Sequence, residues 1–244
     1  MYIYLYLHLA TLAYPMAQSF ERRLKYWRKW KALFPGIAVG LTIFIIWDIL
    51  FTEAGFWGFN PEYLIGVDLL GLPIEEWLFF ITVPYACIFI YECVIYFIPK
   101  DILSRVKMPI GVVFMLGSAT MAIVFYDQWY TTTAFGFLAL VLALNLFVLK
   151  SVWMGRFFIA WAIAAIPFFL VNGVLTGSWI EGEVVWYNDA ENLGIRIGTI
   201  PFEDYFYGMG LMLIDVTIYE ILLKRWKEQP TEPQVGQELE LTTP

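Results

Sequence analysis

The sequence predicts an all-α integral membrane protein of seven transmembrane helices, built as two parallel three-helix repeats joined by a connector helix. Three observations predict it. First, 60% of the 244 residues are hydrophobic and 15% are charged, against about 45–50% and about 25% in a soluble domain. The mean hydropathy is +0.67, and the apolar residues gather in stretches of roughly 20, enough to cross a ~30 Å hydrocarbon layer. Second, the cations fall on one side of those stretches. Third, the same polar residues recur in the same order in both halves of the chain.

This composition excludes a soluble enzyme, a disordered chain and a disulfide scaffold. A net charge of −7 argues against a nucleic-acid partner. Cys87 and Cys93 stand six apart in one apolar stretch and face different sides, which favours neither a disulfide nor a metal site. The single histidine, His8, cannot build a ligand cluster, so no metal and no cofactor are expected.

The spans run over about 2–20, 34–52, 76–98, 108–126, 131–149, 156–175 and 203–223. The first is not a signal peptide, because its basic cluster follows the apolar run instead of preceding it. That cluster is Arg22, Arg23, Lys25, Arg28, Lys29 and Lys31. Lys100, Arg105 and Lys107 lie between spans 3 and 4, Lys150 and Arg156 between spans 5 and 6, and Lys224, Arg225 and Lys227 after span 7. With seven spans, 14 of the 15 cations share one face and Arg196 alone lies opposite. The positive-inside rule makes that face cytoplasmic, with the N-terminus outside and the C-terminus in the cytoplasm of a multi-pass cell-membrane protein. The two long loops, about 53–75 and 176–202, are then external. Residues 1–225 form one membrane domain: repeat one over about 1–99, the connector over 108–126, and repeat two over 131–225. The polar stretch 228–244, with its Pro, Gln and Glu, reads as a disordered cytoplasmic tail.

The repeat is sharpest at polar positions. Asp48-x-x-x-Thr52 matches Asn172-x-x-x-Thr176. Pro73-Ile74-Glu75-Glu76-Trp77 matches Pro201-Phe202-Glu203-Asp204-Tyr205, and Ile90-Tyr91-Glu92 matches Ile218-Tyr219-Glu220. Three ordered matches at nearly constant offset indicate duplication. One helix between two sets of three gives both repeats the same orientation, about an axis along the membrane normal. Both polar constellations therefore meet the same membrane face and can converge on one cavity.

Glu75, Glu76, Glu203 and Asp204 open spans 3 and 7. Acids in a first turn after proline also suit the helix dipole, so capping explains a single pair as well as function does. Their duplication favours function, since charge inside a membrane costs at least ~2.5–3.5 kcal/mol at the centre of a span. A protonated carboxyl beside an ionised one is an acid/base pair in itself. Asp48 with Thr52, and Asn172 with Thr176, each share a helical face and either orient those acids or simply bond the backbone; Asp48 is also a candidate second base. Asp215, deep in span 7, is an asymmetric candidate with Cys87 as its repeat counterpart. Glu92 and Glu220 read as partners of the inner-face cations. Trp77, Phe80, Tyr205 and the other aromatics near the acids fit an interfacial belt, or walls for an apolar substrate that passes through a cation. The sequence lacks G-x-G-x-x-G, P-loop and G-x-S-x-G motifs, and no lysine lies between Glu203 and Leu223 to carry a retinal Schiff base.

At these two constellations the chain resembles the membrane-integral lycopene cyclases, in their fused single-chain arrangement related to the N-terminal part of the fungal bifunctional cyclase/phytoene synthases. The resemblance spans about residues 2–225 and rests on Asp48-x-x-x-Thr52 with Pro73-x-Glu75-Glu76, and on Asn172-x-x-x-Thr176 with Pro201-x-Glu203-Asp204. Asn172 in place of an acid and Asp204 in place of the second Glu are departures that make the halves unequal. The resemblance implies cofactor-independent, non-redox closure of the acyclic ends of lycopene to β-ionone rings, giving β-carotene via γ-carotene, with lycopene, carotenoid intermediates and membrane lipid as partners. It implies a protonated Glu76 or Glu75 as acid, and Glu203, Asp204 or Asp48 as base. It also implies substrate contacts from Thr52, Asn172, Thr176, Trp77, Phe80 and Tyr205. A three-one-three parallel repeat equally suits a proton-coupled small-solute transporter, and a carotenoid- or lipid-binding module is a third reading.

Overall fold

The computed structural model describes residues 2–228, so the polar tail expected over 228–244 lies, from residue 229 on, outside the described residues. Among the described residues seven α-helices carry the fold: α1 Ile3–Gln18, α2 Trp30–Glu53, α3 Ile74–Phe97, α4 Lys107–Val124, α5 Trp129–Ala143, α6 Met154–Leu175 and α7 Phe202–Glu228. A 3-10 turn, Tyr26–Lys29, leads into α2, and a π turn, Leu144–Val148, extends α5. Counting those turns, α2 to α7 are six helices long and apolar enough to cross a membrane. With 16 residues, α1 is about 24 Å long at 1.5 Å per residue. The predicted spans fall on these helices and differ at the ends. Cations stop an apolar run without stopping a helix, because lysine and arginine carry their charge on long stems to the interface. Thus α2 begins four residues before the predicted start, ahead of Lys31, and α7 runs past Arg225.

α3 and α7 form the middle of the bundle. α1 packs on α3 and α5 on α7, while α2 bridges α7 and α3, and α6 lies against both. α4 packs mainly on α5 and is the least embedded, with Gly111 and Ser118 its only buried residues. The α2–α7 contact is close because Gly36 and Gly40 face Asp215: a Cβ at Gly40 would overlap that carboxyl. This is the small-residue spacing that lets two membrane helices approach. Where α2 begins and α3 ends, buried Glu92 pairs with Lys29 and accepts from Tyr219, while Tyr91 donates to Glu220 at 2.6 Å. The pairing with a cation expected for Glu92 is therefore present.

The two long loops contain short strands that alternation cannot reveal at two or three residues apiece. β1 (Trp57–Phe59) pairs antiparallel with β4 (Val185–Tyr187), joining one loop to the other. β2 (Asp68–Leu69) turns into β3 (Leu72–Pro73), and β5 (Arg196–Ile197) into β6 (Ile200–Pro201). The first hairpin turns on Leu70-Gly71, both at positive φ, as a type I′ turn demands. The two hairpins set the starts of α3 and α7 alike: Asp68 is paired with Pro73 and Arg196 with Pro201, and the helix begins at the next residue.

Candidate active site

Each hairpin delivers two adjacent acids to the first turn of a helix, and the two point in different directions. Successive helical residues are about 100° apart, so one of each pair faces its own hairpin and the other faces the bundle. Glu75 is wholly buried and accepts the Ile65 amide at 2.7 Å; Glu203 is wholly buried and accepts the Leu193 amide at 2.8 Å. Thr131 adds a bond to Glu203 at 2.6 Å. Neither of these carboxyls borders the cavity described next.

Glu76 and Asp204, the other member of each pair, line a cavity of about 440 Å³ together with Asp48 and Asn172. Glu76 Oε2 accepts the Tyr4 hydroxyl at 2.5 Å. Asp204 accepts three donors: Tyr130 at 2.5 Å on Oδ1, and Asn172 at 2.7 Å and Tyr187 at 3.0 Å on Oδ2. Asp48 Oδ1 accepts the Trp57 indole N–H, while its Oδ2 is buried with no partner among the described residues. The three carboxyls thus differ in support, from three donors on Asp204 to one on Glu76 and one on Asp48. Donors aimed at a carboxylate form strong charge-assisted bonds, so Asp204 is furnished as an anion. Burial, and then the Asp204 carboxylate beside it, hold the Tyr187 phenol well above its usual range, and it keeps the proton it donates.

The remaining predicted residues lie around this centre. Thr176 donates to Asn172 O at 2.9 Å and meets Thr199 at 2.8 Å, which ties the end of α6 to the second hairpin. Thr52 has a buried hydroxyl with no partner among the described residues. Trp77 donates to Leu69 O at 3.1 Å, bracing the first hairpin. Phe80 packs on Phe44, and Tyr205 stacks on Phe169 at 6.0 Å between ring centroids. None of Thr52, Thr176, Trp77, Phe80 or Tyr205 lines the cavity; of the predicted substrate contacts, Asn172 does. Asp215 is buried with both oxygens unpartnered among the described residues and sits behind the cavity wall, against α2.

Sequence reasoning missed Tyr4, Tyr130 and Tyr187, the phenols that hold the carboxyls. Tyr4 and Tyr130 are each the second residue of their helix, α1 and α5. That symmetry is the signal that was available, although neither tyrosine belongs to a motif.

Away from the acids the cavity is a hydrocarbon space. Its walls follow α3 from Glu76 to Ile90 and α6 from Leu175 to Trp161, a depth of about 21 Å at the helical rise. Tyr14 and Leu170 line it and are 67% and 57% exposed, so it reaches the outside of the bundle between α1 and α6. The acids occupy one end of a greasy groove that opens sideways. Such a site can move a proton on an apolar molecule while excluding water.

A sequence model of the family described as lycopene cyclase matches residues 1–94 and again 127–222, leaving out α4. No curated protein and no solved structure matches the chain.

Proposed function

The chain belongs to the lycopene cyclase family, and from that premise we propose that it closes the acyclic ends of lycopene to β-ionone rings by proton chemistry at Glu76 and Asp204. It has a role in lycopene cyclisation and is a membrane-embedded enzyme of carotenoid cyclisation. The finer reading gives it seven spans with the N-terminus outside, two parallel three-helix repeats, and β-carotene formed via γ-carotene. The observation that carries the mechanism is the placement of three carboxyls at the end of one apolar, laterally open cavity.

In this reading Glu76 is the acid. Its carboxyl proton passes to the terminal double bond of the polyene and leaves a tertiary cation. The neighbouring double bond attacks that cation and closes a six-membered ring, moving the positive charge into the ring. Asp204, held by three donors, removes the adjacent ring proton and sets the β double bond. No electrons are gained or lost, and one proton enters for each that leaves. General acid and base groups of this kind are each worth about 10²–10⁴ in rate. The rings of Trp57, Phe79 and Tyr207 line the same cavity and can face the passing charge. Exclusion of water keeps the cation from capture as an alcohol. Glu75 and Glu203 act through the hairpins, holding the loops that aim their neighbours.

The test is expression in a host that accumulates lycopene, with pigments separated by chromatography. Cyclised carotenoid is expected. Unchanged lycopene, despite verified membrane expression, overturns the reading, and proton-coupled uptake in its place restores the transporter alternative.

A further inference from the structure

The acid and the base of the proposed function, on which this inference rests, are held unequally. Among the described residues Asp204 accepts three donors, whereas Glu76 accepts one, the Tyr4 hydroxyl at 2.5 Å. That bond falls on Oε2, so the proton of a neutral Glu76 belongs on Oε1. The aim of the acid therefore depends on where a single phenol stands.

His8 lies one turn after Tyr4 on α1, and the two rings stack at 4.8 Å between centroids with 25° between their planes. Its Nδ1 and the Thr82 hydroxyl of α3 are hydrogen-bonded at 2.9 Å. Both residues are buried, and neither lines the cavity. Tyr4 is thus held at its tip by Glu76 and along its face by a ring that the same helix, α3, anchors.

The other half of the molecule shows that the fold does not require this pair. α5 packs on α7 as α1 packs on α3, and Tyr130 donates to Asp204 as Tyr4 does to Glu76. Ala134 follows Tyr130 by four residues, as His8 follows Tyr4; Gly210 follows Asp204 by six, as Thr82 follows Glu76. Ala134 is buried and Gly210 lies close to Phe137, so that docking is apolar where the first is polar. Hydrogen bonds between membrane helices also add little to their association on average. What differs between the halves is the carboxyl: Asp204 has Asn172 and Tyr187 besides its first tyrosine, and Glu76 has Tyr4.

We propose that His8, fixed by Thr82, is a positioning residue for the acid: its ring holds the Tyr4 phenol on Glu76 Oε2 and so keeps the proton on Oε1 for delivery to the polyene. It acts through Tyr4, from outside the cavity.

His8→Phe and Thr82→Val remove the two ends of one bond, the first keeping a stacked ring and the second the shape of the side chain. In lipid vesicles loaded with lycopene, each is expected to lower kcat at least about tenfold, since a misplacement of about 1 Å can cost about 10²-fold. KM should change little. The double variant is expected to fall no further than either single one, because both lose the same bond. Thr82→Ser keeps the hydroxyl and should keep kcat. In a Tyr4→Phe background, where the donor to Glu76 is already gone, His8→Phe is expected to lower kcat no further. Wild-type kcat in both His8→Phe and Thr82→Val overturns the proposal. So does a loss of the same size in the Tyr4→Phe background, because His8 then supports the bundle and not Tyr4. Should His8→Phe fail to fold, Thr82→Val with and without Tyr4→Phe makes the same comparison. A wild-type chain that forms no ring overturns the cyclase reading beneath, whereas ring formation with unmoved variants overturns the role of His8 alone.

Discussion

Two adjacent acids in one helical turn carry different duties here, and the difference is a rotation of about 100°. Glu76 and Asp204 face the cavity, while Glu75 and Glu203 hold the amides of Ile65 and Leu193. Asp204→Asn is therefore expected to lower cyclisation by about 10²-fold or more, the usual worth of a general base, with the thermal midpoint in detergent little changed. Glu203→Gln is expected to do the reverse: it weakens a buried bond worth about 1–3 kcal/mol when left unmade, lowers the midpoint and leaves substantial turnover. Pigment assays and thermal melts on the same preparations check both, and equal loss of turnover in the two variants sinks the division. The four acids were legible in the sequence because they repeat. Which of each pair faces the cavity was not, because a motif records spacing along a helix and not the rotation of that helix in the bundle. Tyr4 and Tyr130 were illegible for another reason: a tyrosine at the start of an apolar span is ordinary belt material until a carboxyl more than seventy residues away is seen accepting its proton.

Among elements, the helices were readable and the strands were not. Length, apolar run and one-sided cations place all seven helices within a few residues, because each signal is integrated over about 20 positions. Strands of two or three residues offer no such sum, so the hairpins that aim α3 and α7 stayed hidden in loops. The α2–α7 contact was also hidden, since Gly36 and Gly40 are unremarkable until Asp215 is found against them. Gly40→Val puts a branched side chain where that carboxyl sits. It is expected to push α2 from α7, to displace Asp48 two turns further along α2, and to reduce folded protein in the membrane. Detergent-resistant yield by size-exclusion chromatography measures this, and a wild-type yield with wild-type turnover contradicts the packing account.

For the whole molecule, the cavity belongs to neither half alone. Tyr4, Asp48 and Glu76 come from the first family-matched segment, and Tyr130, Asn172 and Asp204 from the second. α4 lies outside both and rests mainly on α5. A chain cut between Ile98 and Lys107 and co-expressed as two pieces is expected to assemble and cyclise at no less than about one tenth of the intact rate. Each piece alone should be inactive. Pull-down of one piece by the other with a pigment assay decides it, and activity in a single piece would show that one set of carboxyls suffices. The sideways opening at Tyr14 and Leu170 has a last consequence, for how the reaction is counted. A catalyst that draws from the bilayer responds to the number of pigment molecules per lipid, not per litre. Diluting the vesicles with buffer leaves its pace untouched, whereas diluting them with fresh lipid slows it. Its effective Michaelis constant is then a mole fraction, set as much by the host membrane's composition as by the protein.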